Sequence, residues 1–210
     1  MTRERRFVLA ITGASGSAYG QRMLEVLAGT GAEIHLTITD AAAKVAALEL
    51  HLPLDLSDGP GVVRALLGRE SPNVHFHSAK DLAAAIASGS YRHDGMAVVP
   101  CSMGTVGRIA HGVSSGLVDR AADVCLKERR RLVLVPRETP YSTIHLENML
   151  KLSQAGAIIL PASPGLYAGA DTVDKLVDFV VGRVLDHLGV EHNLMQRYGE
   201  PAKRRHPEDE

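Results

Sequence analysis

The sequence predicts a single doubly wound parallel α/β domain with about six strands, and three observations carry that prediction. Six short runs read as strands, and the clearest, Leu132 to Val135, is apolar without polar alternation, as a strand buried on both faces of a parallel sheet requires. Segments with apolar residues at helical spacing separate the runs. The runs end in Gly, Ser, Thr and Pro, so each strand passes into a tight, polar loop. The 210 residues are 45% hydrophobic and 22% charged, which is ordinary globular composition with enough apolar material for a sizeable core.

Taken in order, residues 7–11 form the first strand. The loop Thr12-Gly-Ala-Ser-Gly-Ser-Ala-Tyr-Gly20 follows and opens a helix over about 19–30, with Met23, Leu24 and Leu27 on its apolar face. Gly29 and Gly31 end it. Residues 33–39 form the second strand, and Asp40 is placed to cap a helix over 41–50. Pro53, Gly59-Pro-Gly61 and Pro72 break up the next stretch, leaving a short helix at 62–67. A brief third strand at 74–77 is followed by a helical piece at 81–87. The fourth strand, 95–99, ends in Pro100-Cys-Ser-Met-Gly-Thr105, with helices at 105–111 and 116–130 beyond it. Ala121, Ala122 and Leu126 strengthen the second of these. The fifth strand, 132–135, runs into Pro136-Arg-Glu-Thr-Pro140, and Ser142 or Thr143 caps a helix to about residue 154. Residues 157–160 give the sixth strand, and Asp171 or Thr172 caps a last helix to about 188. There is no internal repeat and no linker. Residues 1–199 read as one domain, and 200–210, with Lys-Arg-Arg and then Glu-Asp-Glu, as a frayed tail.

The charge balance argues against several function classes. Lys and Arg number 23 against 24 Asp and Glu, a formal net charge of -1 with no global field for nucleic acid. Two cysteines without a motif point away from a disulfide framework and toward a reducing cytoplasm. The apolar run after the charged start is too short for a signal peptide, and no run is long enough to span a membrane.

Four strand ends carry unusual loops on one edge of the sheet: 12–17, Thr39, 100–105 and 136–143. Ligands of open α/β sheets bind at that edge. The first loop is Gly-rich and opens a helix, an arrangement that offers backbone N–H groups to an anion. It lacks the Gly-Lys-Ser/Thr of a Walker loop and the Gly-x-Gly-x-x-Gly dinucleotide pattern, and a plain strand-to-helix turn is the simpler alternative. Arg137 and Glu138 sit side by side on a segment stiffened by Pro136 and Pro140, either as a solvated ion pair or as two functional groups. Cys101 is read as a packed small residue, because a catalytic thiol needs a histidine base that the sequence does not nominate. His75 and His77 share a strand face without a third ligand at suggestive spacing. Asp119 and Asp123 lie one turn apart beside Arg120, more in keeping with an ion-paired helix face than with a magnesium site. Arg120, Lys127, Arg137 and Arg183 are the cations available to a phosphate ester.

Together the loops are recognisable. Residues 12–20, Pro100-Cys-Ser-Met-Gly-Thr105, the segment 120–130, Leu132-Val-Leu-Val-Pro-Arg-Glu-Thr-Pro140, Ile144-His-Leu-Glu-Asn-Met-Leu150 and Pro161-Ala-Ser-Pro-Gly-Leu-Tyr167 resemble the flavin prenyltransferase family, in order over about 7–200. The resemblance implies a flavodoxin-like, Rossmann-like subunit. It also implies metal-independent transfer of a dimethylallyl group from dimethylallyl phosphate to N5 and C6 of reduced FMN. The product, prenylated FMN, would serve decarboxylases of the ubiquinone-pathway and aromatic-acid type. A cytoplasmic homododecamer with sites at subunit junctions is implied as well.

Carried over position by position, the resemblance assigns Gly13, Ala14, Ser15, Thr39, Ser102, Met103, Gly104, Thr105 and Arg137 to the flavin. Tyr167 and Arg183 match the dimethylallyl phosphate positions, with Arg120 and Lys127 adding positive charge. Glu138 matches the acid/base residue, Glu49 a second carboxylate near the reacting flavin, and Ser15 joins them as a catalytic candidate. Tyr198 stands where relatives often carry tryptophan, and offers less area to cover a prenyl chain. Glu138 would profit from a raised pKa, against which adjacent Arg137 works unless an anion engages it. Two other readings stand beside this one: an FMN-dependent peptidyl-cysteine decarboxylase, and a non-catalytic flavin carrier. Tyr19 and Gly20 occupy the region where the decarboxylase would need a histidine.

Overall fold

The computed structural model describes residues 4–166, 171–195, 197 and 199. Its centre is a six-stranded parallel sheet: β1 (Arg6–Ile11), β2 (Glu33–Ile38), β3 (Val74–Ser78), β4 (Gly95–Cys101), β5 (Leu132–Pro136) and β6 (Ile158–Ile159). The strand order is β3-β2-β1-β4-β5-β6, so the winding reverses between β1 and β4. A doubly wound sheet opens its ligand crevice at such a reversal, beyond the carboxyl ends of the strands.

Helices α1 (Ser17–Gly29), α2 (Asp40–Glu49), α3 (Gly59–Leu67), α4 (Met103–Ala110), α5 (Leu117–Lys127), α6 (Thr143–Gln154) and α7 (Val173–Leu188) cover both faces. The alternation of side chains along β1 shows why its run is apolar throughout. Phe7, Leu9 and Ile11 pack with Met23, Leu24 and Leu27 of α1 and with Val180, Val184 and Leu188 of α7. Val8 and Ala10 face the other way, toward Val106 and Ile109 of α4, Leu117 and Ala121 of α5 and Leu152 of α6. Burying a single Leu or Ile side chain is worth ~1.5–3 kcal/mol, so two filled faces fix the strand register firmly.

Several boundaries differ from the sequence reading for local reasons. Thr39, not Asp40, caps α2: its hydroxyl accepts from the Ala42 N–H at 3.2 Å, while Asp40 is the first helical residue and pairs with Lys80 at 3.0 Å. Ser102 caps α4, which begins at Met103, two residues before the expected start. Within 81–87 only a 3-10 turn forms, Ala85–Ala87. β6 shrinks to two residues, since it is an edge strand with β5 alone to pair with. Helix α5 ends at Lys127, and Arg129 turns to φ 55° just beyond it. Ser142 and Thr172 are the caps of α6 and α7. The expected tail, 200–210, lies outside the described residues.

Candidate active site

Four loops meet at the reversal point, and backbone bonds hold them in register. The Thr12 N–H donates to the Pro100 carbonyl at 3.2 Å, Thr39 to Ile11 at 3.1 Å, and Arg137 to Cys101 at 3.4 Å. The Thr12 hydroxyl donates to the Pro100 carbonyl at 2.9 Å and accepts from the Ser102 N–H at 2.8 Å, tying the first loop to the third.

In the first loop Gly16 has φ 111°, a conformation that L side chains rarely adopt, and forms the N-cap of α1 without a side-chain partner of its own. A neighbouring helix supplies the missing cap. Glu49, at the end of α2, accepts from the Gly16 N–H at 2.9 Å and from the Ser17 N–H at 2.8 Å. Two N–H groups of this loop, those of Gly16 and Ser17, are thus taken by the chain's own carboxylate. Partial burial works to raise the Glu49 pKa, but hydrogen bonds from the Ser15 side chain and the two backbone groups outweigh it, and the carboxyl ends below its ordinary value. Ser15 and Glu49, assigned separately to chemistry, are hence one hydrogen-bonded unit. Gly13 is where the loop approaches α2 most closely: a Cβ there would fall 2.5 Å from that of Ala41.

The third loop is a chain of hydroxyls. Ser102 Oγ accepts from the Thr105 N–H at 3.4 Å and lies 3.0 Å from Thr105 Oγ1. Arg108 Nη2 donates to Thr105 Oγ1 at 3.0 Å, and Arg108 Nε to Asp119 Oδ2 at 2.9 Å. Sequence reasoning missed Arg108. Its signal was position, one helical turn beyond Thr105. Cys101 is fully buried, and burial, with Asp119 nearby, pushes its thiol far above the ordinary value, so it is a packed residue as expected.

Arg137 and Glu138 do not form an ion pair with each other. Arg137 Nε donates to the Ser15 carbonyl at 3.2 Å, while Glu138 Oε1 accepts from the Thr139 N–H at 3.1 Å. The stiff turn sends the cation to the first loop and leaves the carboxylate half-buried at the crevice.

The proposed phosphate cations do not join them within one chain. Arg120 donates to the Ala87 carbonyl at 3.0 Å and to Asp123 at 2.8 Å. Lys127 pairs with Glu128 at the end of α5 that leads into β5, the opposite edge from Arg137. Arg183 lies in the second half of α7, paired with Asp186 at 2.8 Å. Tyr167 and Tyr198 lie outside the described residues. Asp119 and Asp123 occupy separate ion pairs, with Arg108 and Arg120, in keeping with a paired helix face.

His75 and His77 acquire a partner that the sequence did not indicate. His35 of β2 lies between His77 (Nδ1···Nε2 2.8 Å) and Tyr91 (Nε2···Oη 2.6 Å). Among the described residues no group of three or more His, Cys, Asp or Glu is arranged to hold a metal ion.

Fold and loops define a doubly wound α/β protein whose crevice, at the reversal between β1 and β4, is lined by a Gly-Ser loop, a hydroxyl chain and an Arg-Glu turn. A family model described as Flavoprotein matches residues 1–185. A flavin prenyltransferase UbiX from Alkalihalophilus pseudofirmus is 52% identical over 197 residues, covering 94% of this chain and 98% of the relative. The crystal structure of AnUbiX (PadA1) in complex with FMN and dimethylallyl pyrophosphate superposes with a TM-score of 0.83 at 43% identity, covering 94% of this chain and 99% of the other. A dodecameric FMN-dependent UbiX-like decarboxylase from Escherichia coli O157:H7 gives a TM-score of 0.79 at 46% identity, covering 89% and 96%. The chain belongs to the flavoprotein family and, within it, to the flavin prenyltransferases.

Proposed function

We propose that this protein transfers a dimethylallyl group from dimethylallyl phosphate to N5 and C6 of reduced FMN, without a metal, and releases prenylated FMN to a decarboxylase. The observation that supports the proposal is the hydrogen bonding of the strand-end loops to one another, Glu49 to Gly16, Ser102 to Thr12 and Arg137 to Ser15, in a chain 52% identical to a flavin prenyltransferase. The donor set suits a flavin nucleotide: hydroxyls and backbone N–H groups line the edge, and Arg137 supplies one cation. Reduced FMN, as acceptor substrate, supplies the electron-rich ring that stabilises the allylic cation left when the carbon–oxygen bond to phosphate breaks. Glu138 delivers a proton to the departing phosphate and takes one back as the fourth ring closes.

Arg120, Lys127, Arg183 and Tyr167 would meet the phosphate only where copies of the chain join, which accords with a homo-oligomer in the cytoplasm. The E. coli neighbour is described as dodecameric. A decarboxylase acting on a peptidyl cysteine lacks its histidine here, since Tyr19 and Gly20 stand beyond the first loop. A bare carrier would have no use for Glu138.

Purified protein incubated anaerobically with reduced FMN and dimethylallyl phosphate should release a flavin heavier by the five-carbon unit, read by mass spectrometry. Unchanged FMN, with flavin bound, would end the proposal. Glu138→Gln should lower turnover by about 10²–10⁴-fold while the flavin still binds. Turnover that survives the change removes Glu138 from proton transfer, and a carrier would show no difference.

A further inference from the structure

The hydroxyl chain of the third loop has a polarity, and the structure shows what sets it. A guanidinium donates hydrogen bonds and accepts none. Arg108 Nη2, 3.0 Å from Thr105 Oγ1, therefore occupies a lone pair of that oxygen. Thr105 is 1% exposed, which leaves its own hydroxyl proton no solvent. Among the described residues its one acceptor is Ser102 Oγ, at 3.0 Å. The reverse orientation would leave a buried hydroxyl proton without an acceptor, a costly arrangement. Ser102 Oγ then accepts twice, from the Thr105 hydroxyl and the Thr105 N–H, and its own proton must point away from both. That proton is available to an acceptor beyond the loop, where Ser102 is only half-buried.

Asp119 holds the far end of the chain. Its carboxylate is 3% exposed, and Oδ2 accepts from Arg108 Nε at 2.9 Å and from the Ser115 hydroxyl at 2.7 Å. This clamp orients the guanidinium so that Nη2 reaches Thr105. Arg108 donates both to Asp119 and to Thr105, and from Arg108 onward donation runs one way, to Thr105 and then to Ser102.

We infer that Arg108, held by Asp119, is a positioning residue that fixes the Ser102 hydroxyl as a hydrogen-bond donor to an acceptor atom of the bound flavin. The inference rests on the reading that the crevice binds FMN, and goes beyond it by naming Arg108 and Asp119 as residues that act through the Ser102 hydroxyl. An effect of Arg108 that bypasses Ser102 is what the double-mutant cycle below would expose.

The test is a double-mutant cycle on FMN affinity in the intact protein, followed by flavin fluorescence. Ser102→Ala and Arg108→Met should each weaken FMN binding by about three- to tenfold, the effect of one lost hydrogen bond. Arg108→Met added to Ser102→Ala should cost nothing more, because the donor it orients is already gone. A merely structural role would lower affinity in both backgrounds. Thr105→Val breaks the same chain with little change of shape, should behave as Arg108→Met does, and takes its place if that variant fails to fold. An unchanged affinity in Arg108→Met or Thr105→Val, or a loss that persists undiminished in the Ser102→Ala background, overturns the inference. A wild-type protein that binds no FMN overturns the flavin reading itself, and with it the ligand assigned here.

Discussion

Glu49 shows how one side chain can serve both the fold and the site. It lies at the end of α2, yet it caps α1 by accepting from the Gly16 and Ser17 N–H groups. Its folded pKa lies below the ordinary 4.5, so its contribution to stability is present above about pH 4.5 and is lost as pH falls through the folded value. Replacing a capping side chain with alanine costs ~0.5–2 kcal/mol, and the solvent exposure of Glu49 puts Glu49→Ala at the low end, about 0.5–1 kcal/mol at pH 7. Denaturant melts should show that gap and should show it closing as pH falls below 4.5 and through the lowered folded value. A gap that persists in acid means that apolar packing of the Glu49 stem, and not its charge, is the source. Sequence alone nominated Glu49 by resemblance and could not reveal this contact, because 33 residues separate donor from acceptor. The Arg137–Glu138 adjacency shows the reverse limit: neighbouring charges look paired in a sequence, and the backbone sends them to different partners.

At the scale of elements, the central strands β1, β4 and β5 were legible because a two-faced parallel sheet demands unbroken apolar runs, and helix α1 because Met23, Leu24 and Leu27 repeat at helical spacing. The loop chemistry at the carboxyl edge followed from the same division. Contacts between non-adjacent elements were not legible, and the β2–β3 edge is the clearest case. Tyr91 donates to Glu33 Oε1 at 3.0 Å and so accepts from His35 Nε2, which makes the other nitrogen of His35 the acceptor for His77. This arrangement requires a neutral His35. Burial is the main cause of its lowered pKa, His77 and His75 add to it, Glu33 opposes, and the value falls from 6.5 to about 4. His77 is lowered too, by burial and by His75, against Asp81. The unfolded chain therefore binds more protons than the folded one between pH 6.5 and about 4, and stability present above pH 6.5 is lost across that window, by at most about 3 kcal/mol for His35. His35→Gln, which keeps a donor for Tyr91, should make the stability profile between pH 7 and 4.5 shallower. Parallel profiles for the variant and the wild type would place the acid sensitivity elsewhere.

At the scale of the whole molecule, the residues proposed for the flavin lie on loops at the carboxyl edge, while Lys127 and Arg183 are each paired with an acid on the same helix or just beyond it. Helix α6 begins directly after the Arg-Glu turn, and it exposes Ile144 (67%), Leu146 (52%) and Leu150 (59%). Scattered exposed leucines mean little, but Leu146 and Leu150 are one turn apart and form a continuous strip beside the crevice. In the homo-oligomer proposed above, a second copy of the chain would cover this strip, and symmetry would repeat each such contact. Burying one leucine is worth ~1.5–3 kcal/mol, so two per chain would weigh on the mass of that assembly. Leu146→Asp with Leu150→Asp should leave the circular dichroism spectrum intact, because both side chains already face solvent in the single chain. Light scattering should then report a much smaller species, and prenyl transfer should be lost. A variant that keeps the wild-type mass would move the interface to another face, and one that loses mass yet keeps full turnover would show that a single chain completes its own site.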